Sequence, residues 1–403
     1  MKRLFILALV MLLTLTACAD TDPDQTTGST TAPTDTTDTT ELPKEGVLSV
    51  DKYTGEDAQV LAARETVIAT LEEGALTNGV LQIYYWTAVR SFLNQYGAYV
   101  YYYGLDPSQP LYEQSMSGGG TWEQYFLGQA LTMWRQYQVL AAAGKDMAMD
   151  PELQAEKDAV QERLAQTAQD EGFDSVEEYL AENVGAGCTL EDYLAYMDLY
   201  YRSYNYYQSV YDGFTYTDEQ IRTYFQEHQE ELARQGIDQD TLAYDVRHIL
   251  IQPEGAEEDW TDQGWEDCRR KAQALLDGFL AGEATEEAFA ALAREHSQDP
   301  GSQENGGLYD GLTENENFYE PFKEWYLDEG RKSGDTGLVK TEKGYHIMYF
   351  TRSYSLWPEY CRQTMAYEAT ADVVDEHLEA AKLEVLYDQI LLAQVTLMTK
   401  SES

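Results

Sequence analysis

Tyr244-Asp245-Val246-Arg247-His248-Ile249-Leu250-Ile251 is the stretch at which this chain of 403 residues changes period. Val246, His248 and Leu250 alternate with Arg247, Ile249 and Ile251, the two-residue repeat of a β-strand. Downstream the spacing turns helical again. Cys268, Ala272, Leu275 and Phe279 form one stripe, and Phe289, Leu292, Ala293 and His296 form a second. Gly306-Gly307 breaks the chain, and Pro321 opens a short helix that runs to about Asp328. Leu338-Val339-Lys340-Thr341 and residues 345–350 then read as strands. A compact α+β unit over 244–354 is the expectation, with strands closing one sheet and helices laid around it.

Upstream, from about 47 to 243, the pattern is helical. Thr121-Trp122-Glu123-Gln124 follows a Gly118-Gly119-Gly120 loop as a capping box, and Phe126, Ala130, Met133, Tyr137 and Leu140 then recur three and four apart. Ser175 with Glu178 and Thr217 with Gln220 repeat the box, while Asp150-Pro151 and Gly185-Ala186-Gly187 punctuate between helices. Tyrosine is dense here: Tyr84, Tyr85, Tyr96, Tyr99, Tyr101, Tyr102 and Tyr103, then Tyr200, Tyr201, Tyr204, Tyr206, Tyr207 and Tyr211. Tyrosines at i+1 as well as i+4 cannot all share one helix face, so some point outward. They form either the core and rim of a helical bundle or a surface tolerant of many polypeptide sequences. After Trp357-Pro358 a last helical stretch is expected to about Lys400, over residues 355–403. Its apolar stripes need a partner face, most economically the first helical region. That packing, within one chain or exchanged between two copies, allows a homodimer.

The N-terminus carries Lys2-Arg3, an apolar run over residues 4–15, and Leu15-Thr16-Ala17-Cys18. A basic start, a short apolar core and small residues before a cut describe a secretory leader, and a Cys at the cut supplies the thiol that lipoprotein systems acylate. Residues 1–18 are therefore expected to be a lipoprotein leader with Cys18 as the lipid-attachment site, placing the mature chain outside the cytoplasm. The run is too short to span ~30 Å of hydrocarbon. Residues 19–46 hold ten Thr among Asp, Pro, Gly and Ser, a composition that cannot bury enough surface to order itself, and so read as a tether. Lys+Arg number 27 against 72 Asp+Glu, a net charge of −45 that repels nucleic acid and anionic lipid headgroups. Beyond Cys18, only Cys188, Cys268 and Cys361 remain, with no ligand spacing for a metal; Cys188 and Cys361 would pair only if their segments meet. A third reading of so acidic a chain, a surface protein that binds cations or wall polymer, would call for clustered carboxylates at ligand spacing, and no DxDxDG-like loop occurs.

Several motifs in the 244–354 unit occur in a fixed order: Val246-Arg247-His248-Ile249-Leu250, then Phe289-Ala290-Ala291-Leu292-Ala293-Arg294-Glu295-His296-Ser297-Gln298-Asp299, Gly306-Gly307, Phe318 with Phe322, and Gly344-Tyr345-His346-Ile347. In that order and separation they resemble the parvulin family of peptidyl-prolyl isomerases, and the chain as a whole resembles PrsA-type foldase lipoproteins. The resemblance implies an antiparallel sheet with surrounding helices, flanked by a discontinuous, mostly helical chaperone-like domain. It implies that His248, Asp299 and His346 form the catalytic cluster, and that Phe318, Phe322 and, more weakly, Leu308 line the proline pocket. It implies unfolded or partly folded secreted polypeptides as partners, with the membrane met through the lipid. His228, His296 and His377 match no motif position and read as structural or solvated. Where the family commonly has GGDLG, this chain has Gly306-Gly307-Leu308-Tyr309-Asp310-Gly311, a departure beside the pocket. The alternative is therefore a holdase of the same fold without isomerase activity. The acidic loop with Glu254, Glu257, Glu258, Asp259 and Asp262 disfavours phosphorylated substrates by simple repulsion.

The chemistry implied makes modest demands. Rotation about an X–Pro bond meets a barrier of ~18–20 kcal/mol and takes tens to hundreds of seconds unaided. Bringing that to milliseconds removes about 7 kcal/mol. No covalent bond breaks, so neither cofactor nor metal is called for. A dry slot for the ring and fixed polar groups that favour the twisted amide suffice.

Overall fold

The computed structural model describes residues 52–395. Cys18, the leader and the tether expected before residue 47 lie outside the described residues. Two compact units emerge, one from residues up to 214 together with those from 367 onward, the other from 215–366. Among the described residues no helix is long and apolar enough to cross a membrane.

In the helical unit, α1 (Asp57–Ala63) leads into strands β1 (Val67–Leu71) and β2 (Gly74–Thr77), followed by α2 (Asn78–Tyr96), α3 (Trp122–Ala143), α4 (Pro151–Asp158), α5 (Val160–Asp170), α6 (Val176–Asn183) and α7 (Leu190–Gly213). Thr121 caps α3 with a complete box to Gln124, and Thr189 caps α7 with Asp192 in the same way. Ser175 caps α6 through the Glu178 N–H, but the Glu178 carboxylate turns to the Asp174 N–H, so that box is half formed. Tyr84, Tyr85, Phe126, Trp134 and Tyr204 are fully buried between the long helices, and Tyr84 meets Tyr196 edge-on at 4.9 Å. Tyr99, Tyr101, Tyr102 and Tyr103 are exposed, so the tyrosines divide between a buried core and an outward-facing set.

Two expectations for this unit are corrected. The β1–β2 hairpin interrupts the helical stretch, Val67, Ala69, Thr70 and Leu71 pairing across the Glu72-Glu73 turn with the register shifting at Ile68. The C-terminal helix does not reach Lys400. Helix α13 spans Leu356–Ala380, and the chain then extends into β7 (Glu384–Val385), which adds to β1 in the order β2-β1-β7. Arg135 donates to the carbonyls of Leu378 and Ala381, satisfying the frayed end of the helix. Beyond β7, the buried amides of Asn78 and Gln82 act as a surrogate strand. Asn78 Nδ2 donates to Gln389 O and its Oδ1 accepts from Leu391 N, while Gln82 bonds Leu391 O and Ala393 N, all within 2.9 Å. Backbone partners supplied by side chains defeat a helical spacing of apolar residues.

The mixed unit contains α8 (Asp218–Glu227), α9 (Gln229–Arg234), β3 (Leu242–Ile251), α10 (Asp262–Ala281), α11 (Glu286–His296), β4 (Leu308–Leu312), α12 (Glu320–Tyr326), β5 (Thr336–Thr341) and β6 (Gly344–Ser355). The strands form one antiparallel sheet in the order β4-β3-β6-β5. Strand alternation sends Ile249, Ile251, Ile347 and Tyr349 to one face, where α10 and α11 bring Cys268, Ala272, Leu276, Phe279, Phe289 and Ala293. Val246, Met348, Phe350 and Val339 line the other, under Phe322, Trp325 and Tyr326 of α12. The unit reaches beyond 244–354 because Ile221, Phe225, Leu232 and Ile237 of the α8–α9 segment share a core with Cys361 and Trp357 of α13. Cys188, Cys268 and Cys361 are each free and buried, so the pair between Cys188 and Cys361 is not formed.

Candidate active site

His248 and His346 are brought together by register. On the two central strands His248 stands opposite Met348 and Leu250 opposite His346, so the histidines are diagonal neighbours on one face. Their rings stack at 5.2 Å, with the two Nδ1 atoms 3.0 Å apart. Both are nearly inaccessible, at 3% and 5% exposure, which rules out free solvation. His248 Nε2 lies 3.0 Å from Asp299 Oδ2, and His346 Nε2 lies 2.8 Å from the Thr341 hydroxyl. Asp299 comes from the turn after α11. Its backbone carbonyl accepts from the N–H groups of Ser302 and Gln303, which folds the turn back under β3. The three residues expected from the motifs therefore meet in one network.

The two aromatics expected to line the pocket are also brought together. Phe318 and Phe322 stack at 5.1 Å and 15°, and Phe322 meets the edges of both histidines at 5.3 Å. Phe322 is the buried floor of this arrangement, whereas Phe318 is half-buried and offers surface.

Leu308 is the exception. It pairs with Arg247 and so shares that face of the sheet, away from the histidines, while Tyr309 pairs with Val246 and shares theirs. Tyr309 takes the wall position, 5.1 Å from Phe318 and 5.3 Å from His248, and donates its hydroxyl to Asp299 Oδ2 at 3.0 Å. The register follows from Gly307. Its φ of 74° suits glycine, and a Cβ there would lie 2.1 Å from the carbonyl oxygen of His248. That close approach lets the His248 N–H donate to Gly307 O at 2.8 Å and seats β4 one residue away from the motif-based expectation.

Ser302, Thr341 and Tyr309 were not singled out from the motifs. Ser302 is buried and donates to Asp299 Oδ2; Thr341 is buried on β5 beside His346. A signal for Thr341 did exist, since it alternates inward with Val339, and a polar residue on an inward strand position calls for a partner. Ser302, in a Pro-Gly-Ser turn, carried none.

Electrostatics order the network. Burial pushes the Asp299 carboxyl up, but the hydrogen bonds from His248 and Ser302, the charge of His248 and the bond from Tyr309 outweigh it and hold the group well below the usual carboxylate range. Burial, reinforced by the neighbouring His248, depresses His346 from 6.5 to about 3, so its ring is neutral at physiological pH. A carboxylate only accepts, so His248 carries a proton on Nε2 and donates it to Asp299. The facing Nδ1 atoms of His248 and His346 share one proton between them, and the Thr341 hydroxyl bonds His346 Nε2 on the other side of the ring. Among the described residues no group of His, Cys, Asp or Glu converges to hold a metal ion.

His228 sits at the junction of α8 and α9, bonding Tyr224 O and stacking on the Tyr224 ring, and His377 bonds the Tyr206 hydroxyl at 2.7 Å.

Residues 232–353 match the family model described as the PPIC-type PPIASE domain, so this segment is a parvulin-type rotamase domain. No curated protein matches the chain as a relative. Among solved structures, PrsA from Bacillus subtilis is 19% identical, covering 81% of this chain and 98% of its own, with a TM-score of 0.37. The foldase protein PrsA from Streptococcus pneumoniae is 17% identical over 62% of this chain and 83% of its own, TM-score 0.26. A SurA-like chaperone structure from Campylobacter jejuni is 17% identical over 62% and 94%, TM-score 0.21. Likenesses of this degree carry no functional weight.

Proposed function

We propose that this chain is an extracytoplasmic foldase, held at the membrane by a lipid on Cys18, that receives secreted polypeptides before they fold and isomerises their X–Pro bonds. The observation that carries the reading is the Asp299–His248–His346 network lying against the stacked Phe318 and Phe322. A planar amide is more polar than a twisted one, because resonance places negative charge on its oxygen. An apolar slot that strips water from the bond therefore favours the twisted form, and the Asp299 carboxylate near the carbonyl oxygen penalises the planar one further. The histidines hold that carboxylate in place without exchanging a proton with the substrate. Phe318 and Phe322 receive the prolyl ring.

The helical unit supports the holding part of the reading. A cavity of about 310 Å³ there is walled by Tyr85, Trp86, Pro107, Pro110 and Tyr112, and the exposed Tyr99, Tyr101, Tyr102 and Tyr103 offer apolar area with polar tips. Such surfaces suit extended chains of varied sequence.

Protease-coupled isomerisation of a short Xaa-Pro peptide by the purified chain is the test. Acceleration is expected, with loss of more than tenfold in Phe318→Ala and His346→Gln. Phe318 is only half-buried, so its truncation is expected to spare the fold. Phe322→Ala, at a side chain only 1% exposed, should cost about 3–5 kcal/mol of stability as well. A folded wild-type chain without acceleration would leave a holdase.

A further inference from the structure

We propose that Tyr309 is a positioning residue for Asp299: its hydroxyl fixes which carboxylate oxygen faces a substrate amide, while its ring walls the prolyl slot on the β4 side. The inference deepens the isomerase reading and rests on it. Three donors converge on the same oxygen of Asp299. His248 Nε2 and the Tyr309 hydroxyl each lie 3.0 Å from Oδ2, and Ser302 donates to it as well. Oδ1 takes none of the three. One donor would leave the carboxylate free to turn about its terminal torsion, which is broad and roughly two-fold. Donors from three directions, strand β3, strand β4 and the turn, define its plane and leave Oδ1 as the outward oxygen.

The surroundings are shaped for this phenol. A Cβ at Gly301 would lie 3.0 Å from the Tyr309 hydroxyl, so the glycine leaves the room in which the bond to Asp299 forms. At its other edge the ring meets Phe318 at 73° and lies 35° from the plane of His248, which joins the apolar wall to the polar network through one side chain. Burial, the Asp299 charge and the bond itself raise the phenol to about 12, keeping it a donor across the working range. An aliphatic residue at this position would give the wall without the donor. The altered stretch after Gly307 thus adds a function to the site.

The experiment compares Tyr309→Phe with the wild-type chain, each also in an Asp299→Asn background, with the carboxyl carbons of aspartate labelled for NMR. Tyr309→Phe is expected to lower kcat about tenfold with KM within about twofold, the scale of one lost hydrogen bond to a charged group. In the Asp299→Asn background the same change is expected to move kcat less than about twofold, because the two residues act as a unit. The Asp299 carboxyl resonance is expected to shift in Tyr309→Phe. Tyr309→Leu should raise KM in addition. An equal loss in both backgrounds, or no loss in either, would overturn the proposal. If the wild-type chain proves inactive, the isomerase reading falls, and the carboxyl resonance decides alone: moved, Tyr309 positions Asp299; unmoved, it does not.

Discussion

A neutral imidazole buried beside a second imidazole has a measurable cost in acid. His346 is depressed to about 3 from 6.5, so between those values the unfolded chain binds a proton that the folded chain refuses. Stability therefore falls as pH drops from about 6.5 towards 3, by up to about 1.4 kcal/mol per unit. Asp299 acts with the same sign at lower pH, because its folded pKa is depressed and protonation of the unfolded chain pulls the equilibrium over. His346→Gln removes the first of these losses. The thermal midpoint of wild type should drop relative to His346→Gln between pH 7 and pH 5, and a constant difference would contradict a neutral buried ring. At this scale the motifs were legible because His248, Asp299 and His346 are chemically distinctive and sit at regular positions. Tyr309 was not, since whether it or Leu308 faces the pocket depends on a one-residue register, and a slip of one exchanges the faces of the whole strand.

Elements with a strong local start signal were readable, and those held by distant partners were not. Thr121 and Thr217 each cap the helix they precede, through hydroxyls that accept from N–H groups three residues on. The segment after Ala380 has helical spacing and no cap, and the amides of Asn78 and Gln82 hold its backbone in an extended form. Gln82→Ala deletes a donor and an acceptor at a fully buried site, leaving the carbonyl of Leu391 and the N–H of Ala393 unpaired. A loss of about 2–4 kcal/mol is expected, with faster amide exchange at residues 391–393 than elsewhere in the helical unit. Uniform exchange would mean that the clamp contributes nothing local. The same contrast explains the β1–β2 hairpin: its strands are too short to show a period, and β7, more than 300 residues on, completes their sheet.

At the level of the molecule, a net charge of −45 works against compactness. Few basic residues are available to offset it, and ion pairs such as Arg269–Glu266 and Arg270–Asp267 lie on exposed surface where each adds little. Screening should therefore stabilise the chain. The thermal midpoint is expected to rise between about 20 and 300 mM NaCl, as the screening length contracts to below about 10 Å. A flat or falling midpoint would show that the acidic groups are already matched locally.

The amino-acid sequence by itself determined the class of the mixed unit, the residues of its histidine–aspartate network and the aromatic pair, because strand period, capping residues and rare side chains act locally. The tertiary structure decided the rest. It set the register that turns Tyr309 inward, the buried partners Ser302 and Thr341, the extended C-terminal segment and the reach of the mixed unit from 215 to 366. Each of these depends on which distant backbone group a residue meets, and that is fixed only when the chain has closed on itself.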